Sequence, residues 1–504
     1  MRLILILALA AWLRLYQLGS VPVGLYCDEA MDGNDAIEAA ESGHLRVFYP
    51  ENNGREGLYI NLAVPLVALL GNTVAAIRLP AALIGILTVW LVYLLAGGLF
   101  SEPVALLAAF FMATSTWDMH VNRLTHRAGF GTCLLVLAAC LVLAGARRVQ
   151  RGQPFVKILL LAGAAYGLGF HTYTSFRVTP VLVSAVWLCA LWRARSAKRL
   201  PAFWKASAAF VAAATLTIAP LAIYFVRHPD DFSKRASQVS ALQNDRPVRT
   251  IANNVLATAG MFFYEGDPDW RHNISRQPQL FLPVAASFVA GAAIALLSVV
   301  RRRDPFPFAL LLGWMAMAAL PQVLSYDRVH AFRSAMMIPA VFILAAVGAH
   351  RFYCWMTRRL PRGIAIAVAA GFLLVLFLQP FHDYFEVWAV DSRTLGAFDA
   401  WELDAAAAIA DAPRTIPKYV AIPKTPGDLV NGVPAFLQPV AYLTRSYTAR
   451  DRLHANIRYL LQPATDTRDA WSFCTQVRSG NPGAQTFCLA YEPDATRPPL
   501  PLRP

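Results

Sequence analysis

Eleven stretches of this 504-residue chain are apolar and nearly free of charge: residues 3–18, 77–100, 104–116, 129–146, 158–170, 179–192, 206–226, 280–300, 306–323, 334–348 and 363–380. Runs that are apolar on every side are helices with no polar face to offer water. A bilayer core takes about 20 such residues at a rise of about 1.5 Å each, with about 17 as the lower limit. Several runs are shorter than this, so their boundaries are soft. The pattern predicts an α-helical polytopic membrane protein with about eleven transmembrane helices.

The stretch 58–71 (LYINLAVPLVALLG) is apolar but too short to be a clear span. Charge parity decides it. If it does not cross, the clusters Arg147/Arg148/Arg151/Lys157, Arg193/Arg195/Lys198/Arg199/Lys205, Arg301/Arg302/Arg303 and Arg351/Arg358/Arg359/Arg362 share one side. If it crosses, all of them move outside, against the bias of Lys and Arg toward cytoplasmic loops. Residues 58–71 therefore read as an interfacial or re-entrant helix in a long outer loop spanning 19–76. The same parity places 117–128, 171–177, 227–278, 324–333 and the tail 381–504 outside. The chain divides into a transmembrane domain, 1–380, and an extracytoplasmic domain, 381–504. Short strand-like runs at 418–422 and 486–491 make that tail a small α/β domain. At the N-terminus, Arg2, the apolar run and the Ala8/Ala10 spacing fit a signal peptide or a retained first span. Because more spans follow, the retained span is the better reading, with Arg14 snorkelling at its outer end.

Composition agrees. Hydrophobic residues make up 57% and charged residues 15%, against about 25% charged in soluble domains, and mean hydropathy is +0.44. The net charge of +14 comes from short Lys/Arg clusters between apolar runs. Nucleic-acid binding would need a basic face with base-reading side chains, so it is excluded as the partner class. Cys133, Cys140 and Cys189 lie in apolar runs, Cys354 in a basic loop and Cys27 beside Asp28. Cys474 and Cys488 are either a disulfide of an outer domain or two free thiols. No cysteine or histidine spacing has the form of a metal motif.

The polar chemistry gathers in the outer loops. Cys27-Asp28-Glu29-Ala30 is followed by Asp32, Asn34 and Asp35, and residues 28–42 read as a helix with Ala30, Ile37 and Ala40 on one stripe. Asp28 would open that helix, where a carboxylate suits the dipole; it is a cap, a proton acceptor or both. Glu51-Asn52-Asn53-Gly54-Arg55-Glu56-Gly57 comes next. Cations follow in Asn122-Arg123-Leu124-Thr125-His126-Arg127, in His171-Thr172-Tyr173 with Arg177, and in Tyr326-Asp327-Arg328-Val329-His330-Ala331-Phe332-Arg333. Each Arg alone could anchor a span. Three clusters on one face suit a phosphate, which Arg grips with two bonds. Glu265-Gly266-Asp267-Pro268-Asp269-Trp270-Arg271-His272-Asn273 is a turn whose acid, His and aromatic groups could read a sugar or simply hold the turn. An acid that takes a proton, with cations that hold phosphate, fits transfer of a group from a lipid phosphate to a hydroxyl. No P-loop, dinucleotide fingerprint or nucleophile elbow occurs.

This set resembles the GT-C glycosyltransferases that use polyprenyl-phosphate sugars, in the branch of the protein O-mannosyltransferases and the lipid A aminoarabinose transferase. The residues that carry the resemblance are Asp28-Glu29, Gly54-Arg55-Glu56, Arg78-Leu79-Pro80-Ala81, Asn122-Arg123, and Gly266-Asp267-Pro268 with Arg271-His272-Asn273, across the first 350 or so positions. The resemblance implies a GT-C bundle, a polyprenyl-phosphate-linked sugar as donor, a glycan, lipid or protein as acceptor, and inversion at the sugar. Asp28 would activate the acceptor with Glu29 beside it, Arg55 and Glu56 would line the same cavity, and Arg123 would face the donor phosphate. The loop residues His171, Tyr173, Asp267, His272, His330 and Arg333 complete the candidate substrate-binding set. No cofactor is required; some members of the superfamily bind a divalent metal, and Asp28, Glu29 and Glu56 are the acids that would hold one. Gly57 stands where bacterial members usually carry Pro, and the His-Pro-Pro stretch of the mannosyltransferases is absent. The tail matches nothing. The expected location is the inner or plasma membrane. The alternative is a transporter or flippase of an anionic lipid-linked substrate, which should carry ionisable groups at mid-span; these spans are nearly uncharged at their centres.

Overall fold

The computed structural model describes residues 1–423, 429–463 and 467–489. In chain order the helices begin with α1 (Arg2–Leu15), α2 (Cys27–Ser42), α3 (Leu58–Leu70), α4 (Val74–Leu99), α5 (Glu102–Ala113), α6 (Thr116–Arg123), α7 (Ala128–Gln150), α8 (Val156–Gly169), α9 (Pro180–Ser196) and α10 (Leu200–Arg227). They continue with α11 (Pro229–Gln238), α12 (Pro247–Gly260), α13 (Leu282–Val300), α14 (Pro305–Val323), α15 (Ile338–Arg359) and α16 (Arg362–Phe381). The tail holds α17 (Ser392–Ala397), α18 (Trp401–Asp411), α19 (Gln438–Leu443), α20 (Ala449–Ala455) and α21 (Thr467–Gly480). The strands are β1 (Phe48–Tyr49), β2 (Arg55–Glu56), β3 (Lys418–Ile422), β4 (Leu429–Val430), β5 (Val433–Pro434), β6 (Ile457–Leu461) and β7 (Gln485–Cys488).

Every one of the eleven apolar runs is a helix. Among the described residues, eight helices are long and apolar enough to cross a membrane, or nine if the bent pair α5–α6 is one span. The shortfall from eleven lies in α1 and α8, at 14 residues each, and in α5 at 12. The predicted interfacial segment is α3, a 13-residue helix with Pro65 inside it.

The chain folds as two compact units. The first comprises Met1–Tyr16, Val47–Tyr59 and Ala81–Glu386. Its helices approach through glycine, as membrane helices do when no side chain holds the backbones apart. A Cβ on Gly163 of α8 would run into the carbonyl oxygen of Phe210 in α10, and one on Gly291 of α13 into that of Leu344 in α15. The α5–α6 bend is 60°. Thr114 there turns its hydroxyl back to the Phe110 carbonyl at 2.9 Å, and Ser115 caps α6 by accepting from the Asp118 N–H at 3.2 Å, so the helix ends and restarts.

Arg14 does not snorkel. Its side chain is fully buried and paired with Asp118, and it donates to the carbonyls of Met112 and Ala113 at 3.2 Å each. The bend takes both carbonyls out of the regular i→i−4 ladder, the Met112 carbonyl keeping only the Ser115 N–H at 3.3 Å, and an apolar surrounding makes their further satisfaction obligatory. This corrects the reading of Arg14 as an interfacial anchor.

The second unit comprises Gln17–Arg46, Ile60–Pro80 and the described tail from Val387. A parallel three-stranded sheet, ordered β6-β3-β7, forms its centre. Val420 and Ile422 pack with Ile409, Leu437, Val440 and Ile457 in its core. The described tail carries the expected mixture of helices and short strands, with its first strand at the expected 418–422, but its compact unit also takes in residues 17–46 and 60–80, so it does not stand apart as the sequence division at 380 expects; of the second predicted strand, residues 490 and 491 lie outside the described residues. Cys474 in α21 and Cys488 in β7 are bonded as a disulfide, Cα–Cα 5.8 Å. Helix α2 belongs to this unit. Asn34 donates to the Gln438 side chain at 2.9 Å, Tyr447 donates to Asp35 at 3.4 Å, and Gly33 leaves room for the Tyr442 ring.

Candidate functional site

In the second unit, α2 starts at Cys27, places Asp28 and Glu29 in its first turn, and stops at Gly43, whose φ of +70° suits a residue without Cβ. The two neighbouring acids have different surroundings. Glu29 is buried, and Arg78 grips it with two bonds, Nε to Oε1 at 3.0 Å and Nη2 to Oε2 at 2.9 Å. The remaining Arg78 donors reach the carbonyls of Pro22 at 3.1 Å and Gly24 at 3.0 Å. Asp28 is half-buried on the same turn, with the Cys27 thiol 3.8 Å from its carboxylate.

The first unit gathers most of the other candidates. The Asn52-Asn53-Gly54 turn, with φ positive at all three positions, closes the β1–β2 hairpin and pairs Phe48 with Glu56. Gly54 is required: at φ +88° a Cβ would meet the Phe48 ring. The hairpin sets Glu56 in a buried position, where Arg127 reaches it at 3.2 Å, Arg177 at 3.4 Å and the Thr174 hydroxyl at 3.4 Å. Arg55 beside it is also buried. Tyr173 lies under the Arg127 guanidinium, 6.0 Å from the ring centre, and its ring meets His126 at 5.1 Å. Arg177 also donates to the Phe232 carbonyl at 2.6 Å.

His126 continues the cluster to Phe332 at 4.1 Å, Phe332 to His272 at 4.3 Å, and His272 to His330 at 4.6 Å between ring centres. His272 donates from Nδ1 to Asp267 at 3.0 Å, and the same carboxylate accepts from the Ala331 N–H at 2.6 Å. Asp267 thereby holds the turn 265–273 to the 326–333 loop. Burial pushes Asp269 upward, yet its hydrogen bond from Arg271 and the charges of His272 and Arg271 outweigh that and hold it at about 2. Burial, then the neighbouring charges of His272 and Arg333, drives His330 well below its usual range, so it is neutral.

Three candidates are engaged elsewhere. Arg123 is fully buried, donates to the carbonyls of Leu13 at 2.7 Å and Tyr16 at 2.9 Å, and lies over the Tyr384 and Phe385 rings. His171 donates from Nε2 to the Thr217 carbonyl at 2.8 Å, and its own carbonyl accepts from Leu58 at 3.2 Å. Arg333 pairs with Asp327 at 2.5 Å and with the Ser325 hydroxyl at 2.8 Å. Arg127, Arg177 and His126 are site members that the sequence reading quoted only as parts of cation clusters. Their signal was position, each just before an apolar run.

Together the helices and loop chemistry define a polytopic membrane protein with buried acid–arginine pairs and a histidine cluster in its interhelical loops. Residues 59–224 match the family model of dolichyl-phosphate-mannose-protein mannosyltransferases. The fold is that of ArnT from Cupriavidus metallidurans bound to undecaprenyl phosphate, at TM-score 0.55 and 15% identity, over 96% of this chain and 89% of that one. It is also that of the oligosaccharyltransferase AglB from Archaeoglobus fulgidus in complex with an inhibitory peptide and a dolichol-phosphate, at TM-score 0.54 and 12% identity, over 88% of this chain. The chain spans 63% of the length of that archaeal protein. No curated protein matches by sequence. These likenesses show the fold, which is the GT-C-type bundle expected from the motifs.

Proposed function

We propose that this chain transfers a sugar from a polyprenyl-phosphate donor to an acceptor hydroxyl on the extracytoplasmic side, with inversion and with Asp28 as general base. The observation that carries this reading is the division of labour in the first turn of α2. Glu29 is fixed by a bidentate bond to Arg78, whereas Asp28 beside it is only half-buried. A base must reach its substrate, so Asp28 takes the acceptor proton and Glu29 with Arg78 holds the turn that presents it.

In the reaction the acceptor O–H gives its proton to the Asp28 carboxylate as the oxygen bonds to C1 of the sugar. The C1–O bond to phosphate breaks on the opposite face, and its electron pair leaves with the polyprenyl phosphate. The leaving phosphate gains charge. Within the first unit, Arg127 and Arg177 are the cations whose surroundings suit a phosphate, being buried beside Glu56 yet partly exposed. The undecaprenyl phosphate and dolichol-phosphate of the structural neighbours support a polyprenyl donor. The Cys474–Cys488 disulfide supports an oxidising compartment for the tail, and the basic clusters support cytoplasmic loops at the other end of the spans.

Purified chain in detergent, offered polyprenyl-phosphate sugars labelled in the sugar and a membrane extract, tests this. Wild type should transfer label, and Asp28→Asn should lose roughly a hundredfold or more of that rate while unfolding at the same temperature. Full activity in Asp28→Asn would make Asp28 a helix cap and end its assignment as base.

A further inference from the structure

We propose that the C-terminal tail is a positioning element for the transfer reaction: Gln438 and Tyr442 of α19 fix the rotation and height of α2, and with them the place of Asp28. The proposal rests on the reading of Asp28 as the base and extends it to residues far along the chain. Residues 29–37 of α2 are buried without a break, and four of them, Glu29, Asp32, Asn34 and Asp35, are polar. A helix buried on every side has no single apolar stripe to set its rotation. Its polar partners must do so.

Those partners come from the tail. Asn34 donates to Gln438 twice, to its side-chain Oε1 at 2.9 Å and to its carbonyl at 3.2 Å. Gln438 Nε2 donates to the Val433 carbonyl at 3.2 Å, which turns the amide oxygen toward Asn34. One residue before Asn34, a Cβ on Gly33 would stand 2.6 Å from the Tyr442 ring, so the ring packs straight onto the helix backbone. One residue after it, Asp35 accepts from the Tyr447 hydroxyl at 3.4 Å.

The same helix of the tail is anchored to the segment that bears Arg78. The Tyr442 hydroxyl donates to the Thr73 carbonyl at 3.0 Å, and Asn72 donates to the carbonyls of Tyr442 at 2.9 Å and Leu443 at 2.7 Å. Thr73 directly precedes α4, from which Arg78 grips Glu29. The contacts close a circuit from α2 to α19, on to the start of α4, and back to the first turn of α2. Ahead of α2, Gly24 takes a φ of +106°, and a Cβ there would run into the Phe398 carbonyl. The Phe398 ring lies 5.9 Å from the Arg78 guanidinium. The tail therefore braces the turn that carries Asp28 from both sides. Gln438 and Tyr442 are positioning residues, since Asn34 is about 9 Å along the helix axis from Asp28 at a rise of about 1.5 Å per residue. A displacement of about 1 Å at a reacting group costs on the order of a hundredfold in rate, so a helix free to turn or slide loses turnover before it loses donor binding.

The test separates kcat from donor KM in the full chain in detergent, with polyprenyl-phosphate sugars labelled in the sugar and a membrane extract as acceptor. Gln438→Leu should lower kcat by about tenfold or more and leave donor KM within about twofold. Asn72 is only half-buried, so Asn72→Ala should fold even where Gln438→Leu does not, and it should lower kcat by about threefold or more. In an Asp28→Asn background neither change should lower the residual rate by more than about twofold, because the group they position is gone. Unchanged kcat in both Gln438→Leu and Asn72→Ala would overturn the assignment. So would an equally large fall in the Asp28→Asn background, or a rise in KM with kcat unchanged. Asp28→Asn at the wild-type rate would remove the base, and the positioning role with it. Loss of activity in Asp28→Asn, with kcat intact in both other variants, would remove the positioning role alone.

Discussion

Glu29 and Glu56 are both buried glutamates between the first apolar helix and α4, and each is paired with arginine. Glu29 has one partner in a planar two-bond fork at 2.9 and 3.0 Å, and neither side chain reaches solvent appreciably. Glu56 is shared by Arg127 and Arg177 from two elements at 3.2 and 3.4 Å, and the two arginine side chains keep 15% and 20% of their exposure. A short closed fork has nowhere to admit an anion. A carboxylate between two looser, partly exposed arginines holds cations in place while leaving them able to bind something else. On the proposed function, the first pair serves folding and the second recognition, though residue type and burial are the same.

The largest effect should come from opening the closed pair. Arg78→Met leaves the Glu29 charge buried alone and should cost about 3–5 kcal/mol, read as a large fall in the unfolding temperature or loss of expressed protein. Adding Glu29→Leu removes the stranded charge and should return most of the stability, since replacing both members of a buried pair is often near neutral. If the double variant is as unstable as the single one, the pair is not what holds this turn.

The open pair should behave otherwise. Arg127→Gln or Arg177→Gln should raise the apparent KM for a polyprenyl-phosphate donor by about ten- to a hundredfold, the worth of a charge-assisted bond, with little change in unfolding temperature. A fall in stability with unchanged KM would place Arg127 and Arg177 with Arg78 as structural cations.

These pairings were not legible in the sequence, although their members were. All eleven apolar runs became helices, and residues 58–70 and 418–422 took the expected forms, because hydropathy and strand propensity are local. Partner choice is not. Glu29 and Arg78 are 49 positions apart, and Arg14 and Asp118 are 104 apart. No periodicity links such positions. Arg14 was misread for this reason: at a helix end an arginine normally reaches for headgroups, and only the α5–α6 bend supplies the carbonyls that draw it inward. The histidine cluster was missed as a unit because its side chains come from two loops with no spacing rule between them.

The smallest effect concerns His171, whose surroundings include the charge of Glu56. Burial lowers its pKa from the ordinary 6.5, and the hydrogen bond to Thr217 and the Glu56 charge offset only part of this. Its folded pKa is therefore below its unfolded one. As pH falls through the ordinary value, the unfolded chain takes up the proton first, so the contribution of His171 to stability is present above about pH 6.5 and is lost below it. The slope from this one group should not exceed about 1.4 kcal/mol per pH unit. His171→Gln keeps a donor for the Thr217 carbonyl but cannot titrate, so it should flatten the fall in unfolding temperature between about pH 7 and about pH 5. Glu56→Gln should have the opposite effect: without that charge the folded pKa of His171 drops further, and the loss extends to lower pH. If His171→Gln leaves the pH dependence unchanged, His171 does not carry it. If Glu56→Gln fails to extend it, the charge of Glu56 is already neutralised by Arg127 and Arg177, and the open pair is closer to the closed one than its distances suggest.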